Sequence, residues 1–397
     1  MSKAAALERL VHVGGNTEMG ALLRRYWHPV ATLAQLEAAD RILPVTILGE
    51  RLVVFRDEAG AYAAIQESCP HRGVSLAYGF LEGNGLRCPY HGWLFDQSGA
   101  CIERPFEPRN TTSIRAVAYP VRLLGGLLFV YMGPSESLPP VPPFEILLRA
   151  DICREIHLQE DLKCNWLQIQ ENAADTTHTS YLHSRMLERF GEVDDSGFEL
   201  PMLAYGFQPF SWGIVKSWKY RSDDGSVLSG WGNLLVFPTM LRIESELHWR
   251  VPVNDEVTRI FIIRAIPRVE GVPDWQNVQL PPRTNDNGYH MRDFYSQDAM
   301  AWETQGVISA RQNEHLGASD IGISMYREML EDQLNRVARG EDVSIGRASS
   351  EGTVVDLREY MGGYLPASAP PDANPPSRKS ATEIFNLQHR EVVLAPP

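Results

Sequence analysis

The chain has 397 residues, 44% of them hydrophobic and 22% charged, with a net charge of −13. That length exceeds what one hydrophobic core ordinarily supports, so two domains are expected. The acidic balance argues against nucleic acid and against anionic membranes, the longest apolar run, Leu123 to Met132, is too short to span a bilayer, and Met1-Ser2-Lys3 opens no signal-peptide apolar region.

Residues 1–40 read as a helical segment packing on the second domain, with Leu7, Leu10 and Val11 and then Met19, Leu22, Leu23 and Tyr26 at helical spacing. From Val45 the period becomes that of strands. Short apolar runs at Val45-Leu48, Leu52-Phe55 and Tyr62-Ile65 are separated by turn chemistry at Gly49-Glu50 and Asp57-Glu58-Ala59-Gly60. Residues 41–133 are therefore expected to form a small all-β domain.

Inside it lie Cys69-Pro70-His71-Arg72-Gly73 and, after a 14-residue spacer, Cys88-Pro89-Tyr90-His91-Gly92-Trp93. One Cys and one His from each of two loops match the ligand set of a Rieske [2Fe-2S] cluster, two thiolates on one iron and two imidazoles on the other. A structural zinc site is the competing reading, although zinc more often takes a Cys pair followed by a His pair. The prolines and glycines stiffen and turn the loops so that they can clasp a group from two sides. Cys101, Cys153 and Cys164 form no disulfide pattern, which suits a reducing cytoplasm.

Residues 134–143, with five prolines, cannot continue a sheet and read as a semi-rigid linker. Residues 144–340 form the expected second domain. Near its start comes Glu171-Asn172-Ala173-Ala174-Asp175-Thr176-Thr177-His178-Thr179-Ser180-Tyr181-Leu182-His183. Two His with a carboxylate suggest a facial triad for iron(II), which leaves metal positions open. On a regular helix, however, His178 and His183 lie about 140° apart. They can share a metal only where the helix ends or distorts, and polar residues at a helix end are the alternative. Strands are expected at Ser211-Tyr220, Val227-Phe237, Leu241-Val253 and Val257-Ile266, and helices at 291–308 and 321–338. In the third strand Leu241, Ile243, Leu247, Trp249 and Val251 alternate with Arg242, Glu244, Glu246, His248 and Arg250, which puts His248 on a surface or interface. Asp293, Asp298 and Glu303 are candidate carboxylates on the first helix. Residues 341–397, including Leu365 to Pro376, read as an extended tail.

The two cysteine-histidine loops resemble those of the Rieske non-haem iron oxygenases, and Met19 to Trp27 resembles the opening of the phthalate dioxygenase type among them. Residues 171–183 are similar to that family's E-N-x-x-D-x2-H-x4-H signature, and Gln297 to Gly306 to its ligand helix. The resemblance implies an α+β architecture, a small all-β Rieske domain plus a helix-grip catalytic domain with an antiparallel sheet. It implies that Cys69, His71, Cys88 and His91 hold the cluster and that His178, His183 and Asp298 hold a mononuclear Fe(II). Asp175 would link a ligand histidine to the cluster histidine of a neighbouring subunit, with Asn172 beside it. Val74 and Tyr90 stand where respiratory Rieske proteins carry an extra Cys pair, and Gly92-Trp93 where they carry hydroxyl donors to the cluster. Fewer donors suggest a potential at the low end of the range, roughly −150 mV.

The implied function is the terminal oxygenase component of a Rieske system, inserting oxygen from O2 into an aromatic substrate, foremost an aromatic carboxylic acid. O-demethylation of a methoxy-aromatic compound is the second reading, and a non-enzymatic Rieske electron carrier the third, although such carriers are much shorter than this chain. With no nicotinamide or flavin motif in the chain, electrons are expected from a separate NAD(P)H-dependent reductase of flavin and ferredoxin type. A homotrimer or a pair of trimers is expected. A substrate carboxylate calls for an arginine, yet Arg242 and Arg250 fall on the polar side of their strand, leaving Arg185 nearest the motif.

Overall fold

The computed structural model describes residues 7–108, 113–190, 201–222, 224–286, 288–348, 352–363 and 390–393. Residues 1–3 and most of the expected tail, Leu365 to Pro376 included, lie outside them.

Helix α1 (Glu18–Leu23) is capped by Thr17, whose Oγ1 accepts the Gly20 N–H at 3.1 Å. The expected helical segment is interrupted by a strand and resumes only at the short helix Leu33–Ala38. Trp27–Thr32 is a fully buried strand, β1, because Pro29 cannot donate within a helix and Trp27, Val30 and Thr32 favour a pleated surface. Next come β2 (Ile42–Ile47), β3 (Glu50–Arg56) and β4 (Tyr62–Gln66), followed by a separate four-stranded sheet of β5 (Phe80–Glu82), β6 (Gly85–Arg87), β7 (Leu94–Asp96) and β8 (Cys101–Glu103). Strands β9 (Ala118–Leu124) and β10 (Leu127–Tyr131) turn through Gly125-Gly126, both at positive φ, and close the first sheet in the order β1-β10-β9-β4-β3-β2. Val53, Phe55, Ile65, Leu76, Leu86, Trp93 and Phe95 pack with Cys69 and Cys88 into a core of their own.

The second sheet has ten strands. It takes in β11 (Ile152–Leu158), β12 (Met202–Phe210), β13 (Gly213–Arg221), β14 (Val227–Val236), β15 (Met240–Ile243), β16 (Glu246–Pro252), β17 (Thr258–Pro267) and β18 (Trp275–Gln279), in the order β18-β11-β17-β16-β15-β14-β13-β12. Arg390–Val393 adds to β12 and Gly362–Gly363 to β14, so the chain beyond 341 does contribute short strands. Pairing is antiparallel except between β11 and β18. The helices of this part that matter for the site are α2 (Trp166–Asn172), α3 (Phe294–Glu303) and α4 (Ile321–Ala338). At the start of α4, Gly322 sits so close to the Ala174 carbonyl and the Phe207 ring that a Cβ would collide with both. A glycine is needed there to seat α4 on the turn after α2.

The stretch expected as one strand over Leu241-Val253 is a hairpin. Glu244-Ser245 is its two-residue turn, with Glu244 at φ +44°. Turning there joins side chains that a single strand would separate. Leu241 pairs with His248 and Ile243 with Glu246 on one face, while Arg242 pairs with Leu247 and Met240 with Trp249 on the other. Arg242 is buried against Glu145 at 3.1 Å. Trp249 packs on Phe129 of β10 and Phe144 at 5.0 and 5.8 Å between ring centroids, which joins the two sheets in one core.

Candidate metal centres and substrate cavity

The two cysteine-histidine loops fold alike. Cys69 N–H donates to Val74 O and Gly73 N–H back to Cys69 O, at 2.9 and 2.8 Å. Cys88 N–H donates to Trp93 O and Gly92 N–H back to Cys88 O, at 2.8 and 3.1 Å. Gly73 and Gly92 have φ of +77° and +72°, the left-handed region in which a side chain is strained. The loops bring both buried thiols together, and the His71 and His91 rings lie 4.6 Å apart. Each ring buries an Nδ1 with no hydrogen-bond partner. Two adjacent buried thiols and two neighbouring imidazoles with orphaned nitrogens fit a two-iron cluster with mixed ligands. Burial pushes the Cys69 thiol up to about 11, with Cys88 beside it adding to the shift. Trp93 stacks on His71 at 4.3 Å and Tyr90 lies over His91 at 3.9 Å. Arg87 of β6 donates to Gly92 O at 2.5 Å and pairs with Glu82 and Glu103, pinning the second loop.

At the second centre, α2 begins at Asn165, whose Oδ1 accepts the Leu167 N–H, and buries Trp166, Leu167 and Ile169. After Asn172 the chain turns at Asp175, whose Oδ1 accepts from Thr177 N–H at 2.7 Å and Thr177 Oγ1 at 3.0 Å. Thr179–Arg185 is then a π-helix. Its wider i→i+5 register is the distortion that lets residues five apart share a face. His178 and His183 accordingly present their rings to each other at 5.3 Å, and Asp298 of α3 completes a set whose ligand atoms all lie within 4.8 Å. Asp298 Oδ1 is 3.6 Å from His183 Nε2 and 4.0 Å from His178 Nε2, with the Asn172 amide 3.3 Å from His178 Nε2. The other carboxylates on the helix are engaged elsewhere. Asp293 caps α3 through Ser296 N–H, and Glu303 accepts from Lys163 N–H and Tyr289 OH.

The remaining ring nitrogens face protein oxygens from behind, His178 Nδ1 at ion-pair distance without hydrogen-bond geometry and His183 Nδ1 in a hydrogen bond. His178 Nδ1 lies 3.2 Å from Asp175 Oδ2, and His183 Nδ1 lies 2.7 Å from Gln297 Oε1. Gln297 donates its own Nε2 to Met291 O at 2.8 Å, which fixes Oε1 as the acceptor. Both Nε2 lone pairs are therefore turned toward Asp298, as a metal requires. Burial raises the Asp175 carboxyl, but the His178 imidazole and Thr177 N–H outweigh it and hold it at about 2.

A cavity of about 370 Å³ opens beside these three groups. Its wall includes Lys216, Asn233, Leu241, Ile243, Glu246, His248 and Arg250 on the sheet, and Phe294 and Trp302 on α3. Lys216 donates to the Asp175 carbonyl at 3.2 Å; Arg250 donates to the Ile169 carbonyl at 2.6 Å and faces the Trp302 ring at 5.4 Å. Neither cation has a carboxylate within salt-bridge distance among the described residues. Burial lowers Lys216 to about 8 and Arg250 to about 10.

Residues 26–120 match the family description "Rieske [2Fe-2S] domain", and residues 273–366 match "LigXa C-terminal domain like". The chain is 36% identical to the 5,5'-dehydrodivanillate O-demethylase oxygenase subunit of Sphingobium sp., over 86% of this chain and 82% of that one. This chain belongs to the Rieske oxygenases. It is also 29% identical to the phthalate 4,5-dioxygenase oxygenase subunit of Pseudomonas putida, over 90% of this chain and 94% of that one. Among solved structures, the QL mutant of Pseudomonas putida CBB5 NdmA with theobromine shares the fold at a TM-score of 0.61 and 23% identity, covering 81% of this chain and 94% of that chain. The electron-carrier reading is set aside, since these relatives are oxygenase subunits.

As a Rieske oxygenase the chain carries a Rieske [2Fe-2S] domain and a His/Asp cluster able to hold a mononuclear iron. Its sequence concealed part of the site. Arg250 and His248 line the cavity instead of an outer surface, because the hairpin at Glu244-Ser245 reverses the alternation. Arg185 is exposed and pairs with Glu188. Gln297 and Lys216 escaped notice: Gln297 is signalled only by its place before Asp298, and nothing in β13 marks Lys216 as inward-facing. Among the described residues no helix is long and apolar enough to cross a membrane.

Proposed function

We propose that this terminal oxygenase acts on a small aromatic carboxylic acid, with His178, His183 and Asp298 holding the mononuclear iron and Cys69, His71, Cys88 and His91 holding the cluster. The observation that carries the substrate class is the pair Lys216 and Arg250, two buried cations without a carboxylate partner in the cavity beside the three ligand groups. Buried charge is stable only when compensated, and a substrate carboxylate compensates both. The apolar wall of Leu241, Ile243 and Phe294 receives the ring.

When bound, the cluster supplies single electrons and the iron activates dioxygen. The chain's own groups position and exclude. Asn172 donates toward Asp298 and lies against His178, holding the pair apart at a fixed spacing. Asp175 orients His178 through Nδ1 and, with its second oxygen held by Thr177, is set to receive one more imidazole N–H, from His71 or His91 of a neighbouring copy. Such contacts run head to tail and close as a ring, which favours a homotrimer or two stacked trimers. A separate NAD(P)H-dependent reductase is the expected electron donor. Similarity to an O-demethylase subunit supports O-demethylation of a methoxy-substituted acid as the second reading.

Iron and acid-labile sulfide per chain test the two centres: one iron beyond the pair in the cluster is expected, lost on replacing His183 or Asp298 by Ala. An oxygen-uptake screen of benzoates, phthalates and methoxybenzoates tests the substrate. Uptake driven only by uncharged arenes would overturn the acid reading.

A further inference from the structure

Beyond Arg250, the cavity face of β16 continues to His248 and Glu246, which have no part in the reading above. Glu246 is a buried carboxylate that His248 Nε2 approaches at 2.8 Å, Tyr295 OH at 3.0 Å and Arg264 Nε at 3.1 Å. Burial raises its carboxyl, yet His248, Arg264 and Tyr295 together hold it at about 2. An ionised carboxylate only accepts, so His248 Nε2 must carry the hydrogen. In the neutral ring Nδ1 is then a bare lone pair. No further hydrogen bond reaches His248 among the described residues, although it lines the cavity and is only 8% exposed. No donor among the described residues answers it, and Nδ1 is not one of the enclosed unpartnered atoms, so it stands open to the cavity, where a donor must come from what the cavity holds.

We infer that His248 Nδ1 accepts a hydrogen bond from a hydroxyl on the substrate ring, so that the preferred substrates are hydroxylated aromatic acids. Glu246 and Tyr295 are the positioning residues that set its tautomer and ring angle. The inference rests on the carboxylate reading of Lys216 and Arg250. His248 and Arg250 alternate on one strand face, about 7 Å apart along the backbone, a separation that a single benzene ring with the two groups opposite each other spans.

Anaerobic calorimetric titration of the holoprotein with benzoate, para-hydroxybenzoate, para-methoxybenzoate, terephthalate and phenol tests this. The expected result is para-hydroxybenzoate bound about three- to tenfold tighter than benzoate or para-methoxybenzoate, the yield of one neutral hydrogen bond. His248→Leu should bring the ratio of para-hydroxybenzoate to benzoate affinity to about one, while His248→Gln, which retains an acceptor, should keep part of the preference. Equal affinities in the wild type would overturn the hydroxyl assignment and leave the carboxylate reading standing. Terephthalate bound tighter than para-hydroxybenzoate would make His248 a protonated donor and also overturn it. Phenol bound as tightly as para-hydroxybenzoate would overturn the carboxylate reading while leaving His248 as a hydroxyl acceptor. Because the wild-type series decides on its own, misfolding of a variant leaves the outcome intact.

Discussion

Replacing Gln297 by Leu removes the acceptor that fixes the His183 tautomer, while the ligand set itself is untouched. Loss of such a supporting hydrogen bond should weaken Fe(II) binding roughly 10- to 100-fold, measurable by Fe(II) titration of the apo mononuclear site with the cluster intact. At Asp175 the expected loss differs in kind. Asp175→Asn should keep both metals yet lose turnover, because a neutral amide no longer bridges two imidazoles; normal product formation by that variant would remove the bridging role. Lys216 gives a pH signature. Its ammonium, lowered to about 8 by burial, is charged below that pH and neutral above it. Benzoate affinity should therefore hold below pH 8 and fall about tenfold as the pH rises past it, and Lys216→Met should flatten the profile. These residues were not equally legible. The four proposed cluster ligands sit in two short loops whose chemistry is local, so spacing alone points to them. Asp298 needed the family resemblance, because Asp293 and Glu303 on the same helix look alike until a cap and a Tyr hydroxyl claim them.

Among the elements, the π-helix at Thr179–Arg185 and α4 work together. Seating α4 through Gly322 holds the turn after α2, and with it the start of the π-helix. Gly322→Ala should destabilise the fold by about 1 to 3 kcal/mol through overpacking. The same variant should lower iron occupancy while leaving the Rieske EPR signal unchanged. An equal loss from both centres would mean global unfolding instead. The need for a helical distortion between His178 and His183 could be read from their spacing, and the full extent of α4 from its period. The hairpin was hidden. Glu244-Ser245 lacks the Gly or Asn that marks a two-residue turn, and apolar residues continue to alternate across it, so one strand and two strands look the same. β1 was masked similarly by the helical spacing of the residues before it.

For the whole molecule, head-to-tail assembly predicts complementation. A chain with His91→Ala and a chain with Asp298→Ala, each inactive alone, should regain activity when co-expressed and assembled into one ring, since an intact cluster can then face an intact iron site across the interface. Mixed rings without activity would mean that the centres of one chain serve each other. The aromatic contacts packed between the two sheets, Trp249 against Phe129 and Phe144, hold the two sheets of the chain together. The groups proposed to choose the substrate, Lys216, His248 and Arg250, stand on sheet strands, whereas Asn172, His178, His183 and Asp298 stand on helical elements or their ends. Recognition and oxygen chemistry are thus written on different parts of the chain. Mutational drift along β13 and β16 can redirect an enzyme of this design to new compounds while its metal-binding apparatus is inherited unchanged, and directed evolution confined to those strands has the same freedom.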